Sequence, residues 1–171
     1  MARLIRTRPG EIWTAFAVAS LLTLVLAGTV AAKGPAVAHR VSAGGPDICE
    51  AIGLKPGCDA NFSLVATQFV DGSGSGQYTD RFGRVGGFKG VIDCVVVDGN
   101  RAWVSGWIKS GRFEHDDLSG LPFTALLVDN GTSASDPPDQ ISTSNTGDPT
   151  PCSDMVEWEL HDAPQGQVKI S

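Results

Sequence analysis

The stretch GVIDCVVVDGNRAWVSGWI, residues Gly90 to Ile108, contains two runs rich in β-branched and aromatic residues on either side of Asp98, Gly99 and Asn100. Such runs are typical of β-strands. Aspartate, glycine and asparagine tolerate the positive φ angles that a tight hairpin turn requires. The stretch therefore predicts two long antiparallel strands joined by a short turn.

Other strand-like segments lie on both sides of this hairpin. Residues Asn61 to Phe69 alternate between apolar and polar side chains, with the period of two that a half-buried strand has. Three further runs follow at residues 121–128, 155–161 and 167–171. Together these segments predict an all-β fold, either a small antiparallel β-barrel or a sandwich.

One short helix is expected before the strands, in GGPDICEAIGL at residues 44–54. Pro46 suits the first turn of a helix, and Asp47 and Glu50 are acidic residues near its beginning. Gly53 is the type of residue at which helices end.

The amino terminus has the order of a secretory signal peptide, because three arginines precede the apolar run 12–28 and small residues follow it. Cleavage after Ala32 and cleavage after Ala38 both satisfy the small-residue requirement, and we favour Ala32. The alternative is an uncleaved membrane anchor, since the apolar run approaches the roughly 20 residues that span a bilayer. We expect a secreted protein that has no membrane contact once the signal is removed.

We divide the chain into a signal region at 1–38, a helical and disulfide-closed segment at 39–60, and an antiparallel β domain at 61–171. The first region holds 4 of the 13 basic residues and 1 of the 19 acidic residues. The remaining 9 basic and 18 acidic residues give a net charge of −9. Such a surface repels phosphate backbones, which argues against nucleic-acid binding.

All four cysteines, Cys49, Cys58, Cys94 and Cys152, follow the signal region, which predicts an oxidising compartment and two disulfides. Three pairings are possible. We favour Cys49 with Cys58, because glycine and proline between them let the chain turn back, and Cys94 with Cys152. No pair has the two-to-four-residue spacing of zinc motifs.

Two segments carry a resemblance to a known family. GVIDCVVVDGNRAWVSGWI and LLVDNGTSASDPPDQIS, the latter followed by Cys152, resemble the "GNRAW.SG" and "VDNG....PPD.IS" motifs of small secreted bacterial proteins of the actinobacterial type. The resemblance covers the chain from about Phe62 to its carboxyl end. It implies an antiparallel β-barrel-like domain with a Cys94–Cys152 bridge, and it implies no activity.

The segment VDNGTSASDPPDQIS, residues 128–142, allows two interpretations. Asp129, Asp136 and Asp139, with the amide of Asn130, offer the hard oxygen ligands that calcium prefers. The favoured interpretation is a structural crossover loop, because turn residues and two successive prolines are what such a loop selects. We expect no cofactor, with calcium as the minority alternative.

A second calcium-like segment is DGSGSGQYTD, residues 71–80. Its first positions offer oxygen donors, but the twelfth position is Phe82, where a calcium loop requires a bidentate glutamate. The segment is therefore expected to be a glycine-serine hairpin or a mobile loop.

Histidine chemistry is a further possibility. His115 and His161 each adjoin carboxylates and could act as acid or base, and Ser105 or Ser119 could be a nucleophile if the fold brought them together. The chain contains no GxSxG motif. The sequence therefore favours a protein that is not an enzyme.

Trp103 and Trp107 lie four residues apart in a predicted strand, hence on one face, and Trp158 lies in a later run. If that face points outward, the indoles could stack against sugars. If it points inward, they fill the core or line a ligand cavity, which is the favoured interpretation.

The leading functional hypothesis is a secreted, non-enzymatic β domain that binds a small ligand or acts at the cell surface. The expected partner is a small apolar molecule or a glycan. One alternative is a carbohydrate-binding module that uses the tryptophans. Another is a small hydrolase or isomerase that uses a histidine and neighbouring carboxylates.

Overall fold

The computed structural model describes residues 34–46, 49, 53–55, 58–133, 135–163 and 167–171. The chain separates into two units, Met1–Ala32 and Lys33–Ser171, and every described residue belongs to the second. The expected signal peptide, and the alternative of a membrane anchor, fall on residues outside the described part. Among the described residues there is no helix that is both long and apolar enough to cross a bilayer.

The described part forms an antiparallel sheet that curls into a half-barrel, so the predicted all-β class is confirmed. The strands are β1 (Val37–Pro46), β2 (Ala60–Phe69), β3 (Gly74–Phe82), β4 (Gly86–Asp98), β5 (Arg101–Phe113), β6 (Asp116–Asp117), β7 (Pro122–Val128), β8 (Gln140–Ile141), β9 (His161–Asp162) and β10 (Gln167–Ile170). Their order is β10-β1-β2-β3-β4-β5-β7-β8-β9, with β6 paired to β5. Short 3₁₀ turns lie at Gly83–Val85 and Cys152–Asp154.

The predicted central hairpin is β4 and β5. Asp98 pairs with Arg101, and Gly99 in the turn has a φ of 60°. The register shifts between Lys89 and Gly90 and again between Ile92 and Cys94. Each shift adds one unpaired residue, which bends the strand and increases its twist. These irregularities help the sheet to curl.

The concave side of the sheet holds the hydrophobic core. Tyr78, Phe82, Phe88 and Phe123 form an aromatic cluster with ring centroids 5.2–6.0 Å apart. A side chain at Gly90 would collide with the ring of Phe123. Burying each such ring contributes roughly 1.5–3 kcal/mol, so this cluster is a major source of stability.

Carboxylates of the loop between β7 and β8 bind the free edge of β10. Because β10 pairs with β1 through alternate residues, the N–H groups of Val168 and Ile170 point away from β1. Asp139 Oδ2 accepts from Val168 N at 2.7 Å, and Asp129 Oδ2 accepts from Ile170 N at 2.9 Å. These hydrogen bonds connect the edge of β10 to the loop between β7 and β8.

Residues Cys152–Leu160 form a strap across the convex, outer face of the sheet. The Cys94–Cys152 disulfide anchors one end of it. Trp103 Nε1 donates to Val156 O at 3.0 Å, and Arg101 forms an ion pair with Glu157. The prediction of a strand at 155–161 is therefore wrong except at His161, because the segment packs on the sheet instead of joining its ladder.

Both favoured disulfides, Cys49–Cys58 and Cys94–Cys152, are present. In the loop-entropy model the shorter bridge contributes about 2.5 kcal/mol and the longer one about 4 kcal/mol. Two such bridges indicate an oxidising, extracellular environment.

Two predictions near the amino end need correction. Pro46, where a helix was expected to begin, is the last residue of β1, and residues 47, 48 and 50–52 of the expected helix lie outside the described residues. Strand β1 was missed because its two glycines and proline give a weak strand pattern, which pairing with β2 and β10 overrides.

The glycine-serine segment at 71–80 is a hairpin turn followed by a strand, and not a mobile loop. Gly72 has a φ of 84° in the turn, and β3 begins at Gly74. A side chain at Gly76 would overlap the backbone of Val65, so glycine permits close approach of β2 and β3.

Candidate ligand-binding groove on the outer face

The outer face of β2–β5 presents three transverse rows of side chains, which the strand register aligns. In the order β2, β3, β4, β5, they are the basic row (Asn61, Arg81, Gly87, Arg112), the polar row (Ser63, Thr79, Lys89, Ser110) and the tryptophan row (Val65, Gln77, Val91, Trp107). Neighbours within a row are about 5 Å apart and successive rows about 7 Å apart. The three rows therefore cover a surface of roughly 14 Å in each direction.

A groove of about 680 Å³ follows the basic row and part of the polar row. Its floor is Gly87, which lies between Arg81 and Arg112 in the register. Gly87 has a φ of 142°, and a Cβ there would overlap the backbone of Asp80. Glycine is required at this position by the backbone, and its missing side chain leaves the gap between the two arginines.

The groove is positively charged although the protein is acidic. Four of the nine basic residues in 39–171 line it: Arg81, Arg84, Lys89 and Arg112. Within the described residues none of the four forms an ion pair or a side-chain hydrogen bond. These cations therefore have their hydrogen-bonding capacity available to a ligand.

Two carboxylates also belong to the groove lining. Asp59 lies beside it at the beginning of β2. Asp80 is buried on the core side, where Tyr78 donates a hydrogen bond to its Oδ2 at 3.1 Å. The exposed charge of the groove is therefore predominantly that of its arginines and lysine.

The tryptophans do not form a common platform. Trp103 and Trp107 both lie on the outer face of β5, but Trp103 is 4% exposed because the strap covers it. Trp158 belongs to this strap and packs in the same cluster. Trp107 is 43% exposed and pairs with Val91 and Pro122. Of the three, Trp107 alone presents a large free surface.

The acidic loop has a structural arrangement. Asp129 Oδ1 accepts from Gly131 N, Asp139 Oδ1 from Asn130 N, and Asp136 Oδ2 from Ser133 N, at 2.8–3.0 Å. The second oxygens of Asp129 and Asp139 accept from β10. Backbone amides thus donate to five of the six carboxylate oxygens of these aspartates. The described residues contain no metal-binding group of three or more His, Cys, Asp or Glu.

The candidate catalytic residues are not brought together. His115 is exposed in the turn after β5, and His161 lies in β9. Neither forms a hydrogen bond with a carboxylate or serine of the described part. Ser105 Oγ accepts from Cys152 N at 3.0 Å and is buried, and Ser119 N donates to Asp117. Ser105 therefore anchors the strap.

Sequence reasoning missed the groove cations. Arg81, Lys89 and Arg112 come from three strands and share no motif or spacing. The sequence offers one indication of the site, which is that basic residues are few in this acidic chain. Only the strand register shows that these cations lie on one face of the sheet.

Comparison of the chain with models of protein families, with curated proteins and with solved structures found no match. The resemblance to the secreted bacterial family, carried by residues 90–108 and 126–142, stays a prediction.

Proposed function

We propose that this protein is an exported, non-enzymatic binding domain that holds an anionic ligand in its outer groove. The observation that carries the proposal is the pair Arg81 and Arg112, which flank the glycine floor and have no anionic partner in the described part. A guanidinium group binds carboxylate, phosphate or sulfate through paired hydrogen bonds. Lys89 and Arg84 add positive charge on either side of them.

The packed interior also favours a ligand on the outside. Aromatic rings fill the concave side of β3, β4 and β7, which is where an apolar ligand would otherwise bind. The groove offers instead neutral hydrogen-bonding groups, including Asn61, Thr79 and Ser110, beside its cations. This combination suits a hydrated, charged ligand rather than an apolar one.

Export through a cleaved signal peptide is part of the proposal. Val37 and Ala38 are the first residues of β1, and Ala36 O accepts a hydrogen bond from Val70 N at 2.8 Å. Cleavage after Ala32 leaves these contacts intact, whereas cleavage after Ala38 removes them. The structure therefore favours Ala32 as the cleavage site, and mass spectrometry of the exported protein tests it.

The groove is tested by calorimetric titration with inorganic sulfate, pyrophosphate and citrate. We expect the double variant Arg81→Gln/Arg112→Gln to lose at least tenfold in affinity, because each charge-assisted hydrogen bond contributes about 1.5–3 kcal/mol.

The matched control is Arg40→Gln/Lys169→Gln, which removes two exposed charges outside the groove. Both variants change the net charge equally. Equal weakening of binding in both would mean that general electrostatics, and not the groove, attracts the anion, and the proposal would fail. Absence of binding by all three anions to the wild type would also refute it.

A further inference from the structure

The tryptophan row lies on the same face as the proposed anion site and is only partly apolar. Trp107 is the one large aromatic side chain among the exposed hydrophobic residues of the described part. It is one row away from Lys89 and two rows from Arg112, hence about 7 and 14 Å from them along the strands. A ligand that contacts both the indole and the arginines must be longer than a single small anion.

The residues between Trp107 and the arginines are polar and unpartnered. Thr79 and Ser110 make no side-chain hydrogen bond within the described part, and neither does Gln77 in the adjoining row.

A second depression lies over β2 and β3 around Gly76. It adjoins the basic groove, because Thr79 lines both. This second depression does not include Trp107. On β4 and β5, Lys89 and Ser110 lie in the row between the basic row and Trp107.

We propose that the ligand is an acidic polysaccharide, a chain of sugar rings that carry carboxylate or sulfate groups. This inference rests on the proposed function. The indole of Trp107 packs against the apolar face of one ring, because tryptophan combines a broad apolar surface with tolerance of a wet environment. Thr79, Ser110 and Gln77 bind hydroxyl groups of the chain. Arg81 and Arg112 bind the acidic groups of a ring further along the chain, about 14 Å from the indole.

Two other polyanions fit the surface less well. A nucleic acid is bound through several stacking platforms, whereas this face has one exposed indole among the described residues. An anionic membrane requires a protruding apolar surface that can insert, whereas the arginines lie in an open depression among charged and hydroxyl side chains. An acidic polysaccharide offers sugar faces to the single indole and carboxylate or sulfate groups to the arginines.

The test is affinity electrophoresis of the purified protein in gels containing polygalacturonate, its neutral methyl ester, or no polymer. We expect retardation by the polyuronate only. Trp107→Ala should weaken binding about tenfold, which is the upper range for one aromatic contact. The matched control is Val70→Ala, which truncates an exposed apolar side chain outside the three rows and should bind as the wild type does.

Tryptophan fluorescence shows whether the loss of binding in Trp107→Ala reflects lost stacking of the indole on a sugar ring or a disturbed fold. Binding of polygalacturonate should change the tryptophan emission of the wild type, and the change should vanish in Trp107→Phe while affinity is largely retained. Thermal unfolding of each variant verifies that it is folded.

The results distinguish the two proposals. If small anions need Arg81 and Arg112 but Trp107→Ala binds the polyuronate as the wild type does, the polysaccharide inference is overturned and the anion groove stands. If the wild-type protein binds neither the small anions nor the polyuronate, both proposals are refuted. Tighter, Trp107-dependent binding to oligothymidylate or to phosphatidylglycerol vesicles would assign the face to that class of partner and overturn the inference.

Discussion

The loop between β7 and β8 and the groove on β3–β5 are both clusters of like charge, yet their polar atoms are used in opposite ways. In the loop, both oxygens of Asp129 and both oxygens of Asp139 accept backbone N–H groups. In the groove, Arg81 and Arg112 have no partner within the described residues.

This difference separates charges that stabilise the fold from charges that are available for binding. A partly buried carboxylate that satisfies two amides contributes to stability, and its loss leaves those donors without an acceptor. An exposed cation without a partner contributes little to stability, and it keeps its full attraction for an anionic ligand. The sequence shows the aspartates of the loop as one cluster, whereas only the strand register brings Arg81 and Arg112 together.

The largest effect is expected from Asp139→Ala. Asp139 is 7% exposed, and its removal leaves Val168 N and Asn130 N without acceptors at the junction of β10 with the loop. We expect the free energy of unfolding to fall by about 2–4 kcal/mol. Chemical denaturation measures this loss.

The control for that variant is Asp136→Ala, which removes an exposed acceptor of one loop amide. Its cost should be less than about 1 kcal/mol. Equal destabilisation by both variants would mean that the junction of β10 with the loop does not depend on Asp139. Anion binding should be unchanged in either variant, since neither residue lines the groove.

The groove variant Arg81→Gln/Arg112→Gln should have a much smaller effect on stability. Because the arginines are exposed and make no ion pair in the described part, the free energy of unfolding should change by no more than about 0.5 kcal/mol. Thermal unfolding without ligand measures this. Destabilisation by several kcal/mol would show that the arginines support the fold and would remove the contrast with the acidic loop.

The smallest effect concerns an exposed carboxylate that has local partners. The hydroxyl of Ser73 at 2.6 Å, and then its backbone N–H at 3.0 Å, lower the pKa of Asp71 from its ordinary value. The pKa of Asp71 is lower in the folded protein than the 3.8 of the unfolded chain, so its carboxylate stabilises the fold at pH values above 3.8. This stabilisation is lost as the pH falls through the pKa of the folded protein.

Asp71→Asn should therefore be slightly less stable than the wild type at pH 7, and the difference should disappear in strong acid. Melting temperatures between pH 2 and pH 7 measure it. Asp93→Asn serves as the control, because Asp93 is exposed and has no side-chain hydrogen bond in the described part. A difference that grows as the pH falls would contradict the assigned sign.

Much of the fold is predictable from local pattern. The β-branched runs around Asp98–Asn100 determine the β4–β5 hairpin, and the alternation at 61–69 determines β2, since both signals depend on neighbouring residues alone. The failures have tertiary causes. Strand β1 forms because two partners pair with it, and residues 155–160 leave the sheet because Cys94 and Trp103 hold them on its outer face.

The sequence by itself determined the all-β class and the acidic segment at residues 128–142, and it favoured the two disulfide pairs that form. It also placed Trp103 and Trp107 on one face, because side chains alternate along any strand. Only the tertiary structure decided that the strap covers Trp103 and leaves Trp107 exposed, that backbone amides occupy Asp129 and Asp139, and that Arg81 and Arg112 flank Gly87. These outcomes depend on register and on contacts between distant segments, which local sequence does not encode.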